Sequence, residues 1–201
     1  MSTQKRKYEL RARADRQAET RRRIAAATAE LHEEVGPART TVAEIARRAG
    51  VQRLTVYKNF PEDYDLFAAC QGHFLAQNPP PDPGDAFAIP DPGERVEAVL
   101  RELYAWYRRN ERTSANVRRD RDSLPALDRL LAETGDARAA ELATALAGAF
   151  DVRTKRRVRV RAAVALALDF WAWRRLASEG LADNDAARLM AHVVRAAAAT
   201  A

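Results

Sequence analysis

The stretch TTVAEIARRAGVQRLTVYKNF, residues 40–60, decides the fold. Thr41 stands just before an apolar period begins and Glu44 follows three residues later. At that spacing a hydroxyl and a carboxylate exchange hydrogen bonds with each other's backbone N–H groups in a capping box, so a helix is predicted from Val42. Val42, Ile45, Ala46 and Ala49 recur at helical intervals, while Glu44, Arg47 and Arg48 fall on the opposite side. Gly50 follows the last periodic residue and can take the left-handed conformation that ends a helix without a Cβ clash. In the next segment Val51, Val56 and Phe60 point back toward the first helix, leaving Gln52, Arg53, Leu54, Thr55, Tyr57, Lys58 and Asn59 mostly outward. The small Ala46 leaves room for a steep crossing. Helix, glycine turn and helix with one apolar face make a helix-turn-helix.

The outward residues suit a DNA duplex. Arginine bonds guanine bidentately, threonine and small apolar groups touch the thymine methyl, and Tyr, Lys and Asn bind phosphate. The alternative is a helical hairpin whose outer face is merely solvated. Charge favours the first reading: residues 1–60 carry 14 Lys or Arg against 7 Asp or Glu, whereas the remainder carries 20 against 21. Phosphate neutralisation needs that concentration of cations, although a basic surface also aids solubility. Lys5, Arg6, Lys7, Arg11, Arg13 and Arg16 precede the first helix proper and are expected either as a flexible arm reaching a groove or phosphates, or as a disordered tail.

Residues 16–67 resemble the TetR family of one-component transcriptional regulators. The resemblance is carried by a basic first helix (Arg21, Arg22, Arg23, Ile24, then alanines to Leu31), Thr40-Thr41-Val42, Ile45-Ala46, Ala49-Gly50-Val51, Thr55-Val56-Tyr57, Phe60 and Leu66-Phe67. It implies base reading by Arg53, Leu54 and Thr55 and backbone contacts by Thr41, Tyr57, Lys58 and Asn59. Two positions depart from the family pattern. Asp63 stands where a phosphate-binding lysine is usual, though Glu62, Asp63 and Asp65 suit a helix N-terminus electrostatically. Leu54 is bulkier than the small residue common at its place, which points to a different operator.

The expected fold is all-α. A basic arm and three-helix helix-turn-helix domain occupy residues 1–62, and a helical regulatory and dimerisation domain occupies 63–201. Alanine, leucine, arginine and glutamate favour helices throughout. A helix is predicted from Asp63 to Ala76, followed by a break over 78–93, where Pro79, Pro80, Pro81, Pro83, Pro90 and Pro92 deny backbone donors. Further helices are predicted over Glu94–Arg109, Thr113–Arg121, Leu124–Ala132 and Asp136–Phe150, then a long buried one over Arg161–Ser178 and a last over Asp185–Ala199. Val158 and Val160 alternate with arginines in the manner of a strand, but the alanine-rich flank keeps that segment helical. By resemblance the last two helices form a four-helix homodimer interface, and their small residues permit the close approach it needs. Burial of the same stripes within one subunit is the alternative.

Tyr104, Trp106, Tyr107, Asn116, Arg119, Asp120, Asp169, Phe170, Trp171 and Trp173 are candidates for lining a small-molecule cavity, since aromatic walls with a few polar groups are the usual composition of such sites. Aromatic residues at helical spacing also serve as plain core. Asp169, set between Leu168 and Phe170 in an apolar stretch, needs a partner: an arginine such as Arg118 or Arg119, a hydroxyl, a ligand cation or solvent.

Several function classes find no support. There is no Walker loop, glycine-flanked nucleophilic serine or HExxH, so no enzyme is expected. Asp120 and Asp122 interleave with Arg119 and Arg121, as on a solvated helix end. Cys70 is the only cysteine, expected as a small core residue rather than a redox sensor, and His32, His73 and His192 lack ligand spacing. No metal or cofactor is expected. No apolar run approaches a membrane span and the polar N-terminus lacks a secretory core, so a cytoplasmic location follows. The leading expectation is a ligand-responsive repressor that binds a palindromic double-stranded DNA operator as a homodimer, with an unknown small-molecule effector. The alternatives are a regulator without an effector, or a non-catalytic helical binding module or small-molecule-handling enzyme whose basic helix pair meets a protein or acidic metabolite.

Overall fold

The structure, a computed structural model, describes the backbone of residues 3–199 and, within it, the side chains of residues 7, 8 and 10–199. Lys5 and Arg6 of the basic segment thus lie outside the described side chains. Eleven α-helices are present among the described residues, with no strand: α1 Thr3–Glu34, α2 Val42–Ala49, α3 Arg53–Asn59, α4 Asp63–Gln77, α5 Pro92–Arg109, α6 Glu111–Asp120, α7 Pro125–Leu131, α8 Ala137–Gly148, α9 Thr154–Leu168, α10 Phe170–Ser178 and α11 Asp183–Ala199. The all-α expectation holds. The expected arm or tail is instead part of α1, because Ala, Arg, Gln and Glu dominate from Glu9 to Glu34 and neither glycine nor proline interrupts them before Gly36.

The chain divides into two compact units, one of residues 1–79 with 115–130, the other of 80–114 with 131–201. The division differs from the boundary read at 62/63. The helix α4 packs on α1 and so belongs with the first unit, and α6 crosses the boundary.

In the first unit, Ile24, Ala27 and Leu31 of α1 meet Ile45, Ala46 and Ala49 of α2, Val56 and Phe60 at α3, and Leu66 of α4. Burial of an apolar side chain of this size contributes about 1.5–3 kcal/mol, so these few residues dominate the cohesion of a small helical module. Cys70 sits in the interior as expected, its Sγ 3.4 Å from His32 Nδ1. His32 is buried, its ring tilted against that of Phe67 with centroids 5.7 Å apart. Burial lowers its pKa to about 4, against a smaller opposing pull from Asp120, so its imidazole is neutral.

In the second unit, α11 packs on α5 and α9, and α8 on α9. Between α4 and α5 the proline-rich chain is irregular except for a short turn over Asp85–Ala88, and α5 starts at Pro92, where Asp91 accepts the Glu94 N–H at 2.7 Å. The predicted gap before residue 136 is bridged by a π-helical turn over Ala132–Asp136 that runs α7 into α8. A larger correction concerns the helix read over Arg161–Ser178. It is two helices, with α9 beginning at Thr154 and stopping at Leu168. Asp169 is extended between them and its carboxylate accepts the Ala172 N–H at 2.8 Å. The partner sought for Asp169 is therefore the backbone of α10, and the residue itself is exposed. The strand-like alternation at Val158 and Val160 lies within α9, as expected.

Candidate nucleic-acid interface

The short helix α3 owes its placement to two local devices in the preceding segment. Thr41, in an extended conformation, caps α2 by accepting the Glu44 N–H at 3.2 Å. The capping box is made in that direction, while the Glu44 carboxylate accepts from Arg47 Nε at 3.1 Å, an exposed pair. At the other end Gly50 takes φ 64, ψ 40. Its N–H donates to the Arg47 carbonyl at 3.3 Å and the Val51 N–H to the Ala46 carbonyl at 2.9 Å, the two bonds of a Schellman stop. Val51 then packs against the core and α3 begins, with Gln52 at its N-cap.

Val56 and Phe60 face inward and are buried. Gln52, Arg53, Leu54, Tyr57 and Lys58 are exposed, with Leu54 at 58% and Tyr57 at 55%, values that leave these apolar surfaces without a covering group among the described residues. Thr41 is exposed beside them at the start of α2, and Thr55 is half-buried. Thus the surface contains a guanidinium, a primary amide, an ammonium, a phenol and an isobutyl group on one short helix. Such a set can bond base edges and phosphates in a major groove wide enough to admit a helix. Asn59 does not point outward as expected but is half-buried. Its Nδ2 donates to the Thr55 carbonyl at 2.8 Å, and its Oδ1 is buried without a hydrogen-bond partner.

The role of Arg21 escaped the sequence reading. Its guanidinium donates to the Asn59 carbonyl and lies 4.1 Å from the Phe60 ring centroid, so α1 holds the C-terminal end of α3. A signal was available: Arg21, Ile24, Thr28 and Leu31 share one helical stripe, and a cation on a buried stripe needs a partner. At the start of α4, Asp63 and Asp65 fall in the first turn, so no lysine stands there.

The residues expected around an effector fall into two groups. Tyr104, Trp106, Tyr107, Phe170 and Trp173 gather in the second unit and are buried. Tyr107 packs edge-on against Phe170 at 5.3 Å and near Trp173 at 5.5 Å. Tyr104 Oη donates to the Ala167 carbonyl at 2.7 Å and Tyr107 Oη to that of Leu168 at 2.8 Å. Burial also pushes the Tyr104 phenol above its ordinary range, so it stays protonated. Both hydroxyls are thus spent on the end of α9. Trp171 is exposed, beside Arg174.

Asn116, Arg119 and Asp120 belong to the first unit. Asn116 Nδ2 donates to the carbonyls of His32 (3.1 Å) and Glu33 (2.8 Å), which end α1. Asp120 accepts the Ala38 N–H at 3.0 Å and is held by Arg119, whose Nη1 also donates to Asn116 Oδ1 at 2.8 Å. Burial raises the Asp120 carboxyl pKa, but the Arg119 and Ala38 hydrogen bonds outweigh it and hold the group below the usual range. These three side chains brace the turn between α1 and α2. Among the described residues no group of three His, Cys, Asp or Glu side chains could hold a metal ion.

Residues 24–70, which contain this whole surface, match the family model described as bacterial regulatory proteins, tetR family. That segment is thus similar to the N-terminal domain of TetR-family regulators. Solved structures agree over nearly the full length of the chain. A TetR-family transcriptional regulator from Mesorhizobium loti is similar with a TM-score of 0.61 at 19% identity, covering 90% of this chain and 96% of that one. A TetR-like transcriptional regulator from Rhodococcus sp. gives 0.60 at 18% identity over 90% and 97%, and a further transcriptional regulator from Rhodococcus sp. gives 0.57 at 19% over 87% and 95%. No curated protein shows significant similarity to the chain. At these identities the structural likeness establishes the fold alone, which this chain shares with those regulators.

Proposed function

We propose that this chain is a sequence-specific repressor that occupies a palindromic operator as a homodimer and leaves it when a small molecule binds. The observation that carries the reading is the exposed face of α3, Gln52 to Lys58, fixed from behind by the Gly50 stop and by Arg21. Arg53, Leu54 and Thr55 read bases, with Gln52 at the groove edge. Thr41, Tyr57 and Lys58 hold phosphates, and Asn59 shapes the end of the helix rather than touching DNA.

Pairing of two copies is supported by the outward faces of α9 and α11. Val158, Leu166, Leu189 and Val193 are exposed there, and the alanines between them, Ala162, Ala165 and Ala196, allow close helix approach. A two-fold dimer then places two reading helices on half-sites spaced by about one helical turn or a modest multiple of it. Effector response is assigned to the aromatic cluster of Tyr104, Trp106, Tyr107, Phe170 and Trp173. A ligand that binds a rearranged cluster more tightly than the packed one shifts the dimer away from its DNA-competent form. No helix among the described residues is long and apolar enough to cross a membrane, and operator binding places the protein in the cytoplasm.

Genomic fragments recovered with the purified protein test this reading. They should share one inverted repeat, and its occupancy should fall when the correct metabolite is added. Recovery of unrelated fragments at low salt would end it.

A further inference from the structure

We propose that the N-terminal half of α1 is a second DNA-contacting element, a basic helix that follows duplex phosphates flanking the half-site read by α3; this rests on the DNA-binding reading above.

The helix is far longer than its core requires. It has 32 residues, and the first buried side chain among its described residues is Ile24. From Lys7 to Glu19 every described side chain is exposed except half-buried Ala12, with Tyr8 at 73% and Leu10 at 61%, so nothing among the described residues covers this half. Lys7, Arg11 and Arg13 make no hydrogen bond or ion pair among the described residues, and Arg16 bonds only the Ala12 carbonyl, at 3.1 Å. An uncovered helix of this length is marginal in water, and cations toward its N-terminal end oppose the helix dipole. The segment therefore contributes little to the fold of the isolated chain.

Its placement selects the partner. Where α1 enters the core, Arg21 grips the Asn59 carbonyl at the end of α3, whereas the opposite end of α1 is held by Asn116. The exposed half therefore leaves the unit at the C-terminal end of the reading helix and away from the α1 end held by Asn116. From Arg21 back to Lys7 the helix rises about 21 Å. That distance matches about six base pairs of duplex, each carrying two phosphates. Tyr8 and Leu10 lie on different sides of the helix, and charged or small residues fill the positions between. No continuous apolar stripe exists for a bilayer or a partner helix. Polyanion contact satisfies the charges without requiring such a stripe.

The test uses the full chain with Lys7→Gln, Arg11→Gln and Arg13→Gln combined. Binding to a random-sequence duplex of about 40 base pairs, followed against salt, should show a log–log slope shallower by about three, because each lost phosphate contact removes about 0.9. On the recovered operator, affinity at low salt should fall at least tenfold while the preferred bases stay the same. An unsubstituted control needs no folding argument: trimming about six base pairs from each flank of the operator should weaken the wild type and leave the triple variant unaffected. Equal slopes for the two proteins, or indifference of the wild type to flank length, would overturn the proposal while leaving operator recognition standing. Failure of the wild type to bind any duplex would overturn both.

Discussion

The Asp120 carboxylate accepts the Ala38 N–H at 3.0 Å across 82 residues of chain, and the same carboxylate closes over Gly36. Gly36 has φ 91, and a Cβ there would lie 2.5 Å from Asp120 Oδ2 and closer still to Arg119. Replacement by alanine therefore suffers twice, from the backbone and from the brace. Gly36→Ala should cost more than about 1 kcal/mol. Asp120→Ala should cost about 1–3 kcal/mol by leaving the Ala38 donor unsatisfied and Arg119 without its main partner. Urea unfolding of both variants measures this. Wild-type midpoints would show that the brace contributes nothing.

Reading and holding should separate by substitution. Arg53→Ala should lose about 1–3 kcal/mol on the operator and relax preference at one base position, whereas Lys58→Ala should weaken specific and random duplexes alike and lower the salt slope by about one. Gel-shift titrations on both duplexes at several salt concentrations decide the matter. Uniform losses for Arg53→Ala would remove it from the base-reading set.

Acid should destabilise the first unit through His32. Its folded pKa is about 4, below the ordinary histidine value of 6.5, so between those values the unfolded chain binds a proton that the native one refuses. Stability is therefore full above the unfolded value and falls as the pH drops toward 4, by about 2 kcal/mol between pH 7 and pH 5. Substituting His32→Leu should flatten this part of the pH profile in urea melts. An unchanged slope would assign it to other groups.

Burial pushes the Cys70 thiol up to about 12, so almost none is thiolate at neutral pH. The native protein should resist a disulfide exchange reagent at pH 8 and react with one equivalent once unfolded. Rapid labelling of the native chain, counted by mass spectrometry, would restore the redox-sensor alternative.

Local chemistry was legible where it is written in adjacent residues. Thr41, Gly50 and the apolar spacing from Val42 to Phe60 predict α2, the turn and α3, and each is found. Long-range partners were not legible. Asn116, Arg119 and Asp120 looked like pocket polar groups because they follow an aromatic helix, yet the partners of Asn116 and Asp120 lie some eighty residues earlier, around the end of α1, and Arg119 is spent on those two side chains. Asp169 was missed for another reason. Its flanks are so apolar that a continuous buried helix seemed required, and a capping aspartate without glycine or proline gives no other sign of a break. The outward turn of Asn59 failed because its amide prefers the nearby Thr55 carbonyl to solvent.

The discontinuous make-up of the first unit bears on how the protein is born. Residues 115–130 belong to it, so a nascent chain that has released α4 still lacks the side chains that seal the bend before the helix-turn-helix. At roughly 5–20 residues per second, a ribosome needs several more seconds to deliver them. A polypeptide cut after residue 79 would stay in that unfinished condition permanently, with the bend behind its reading helix unsealed.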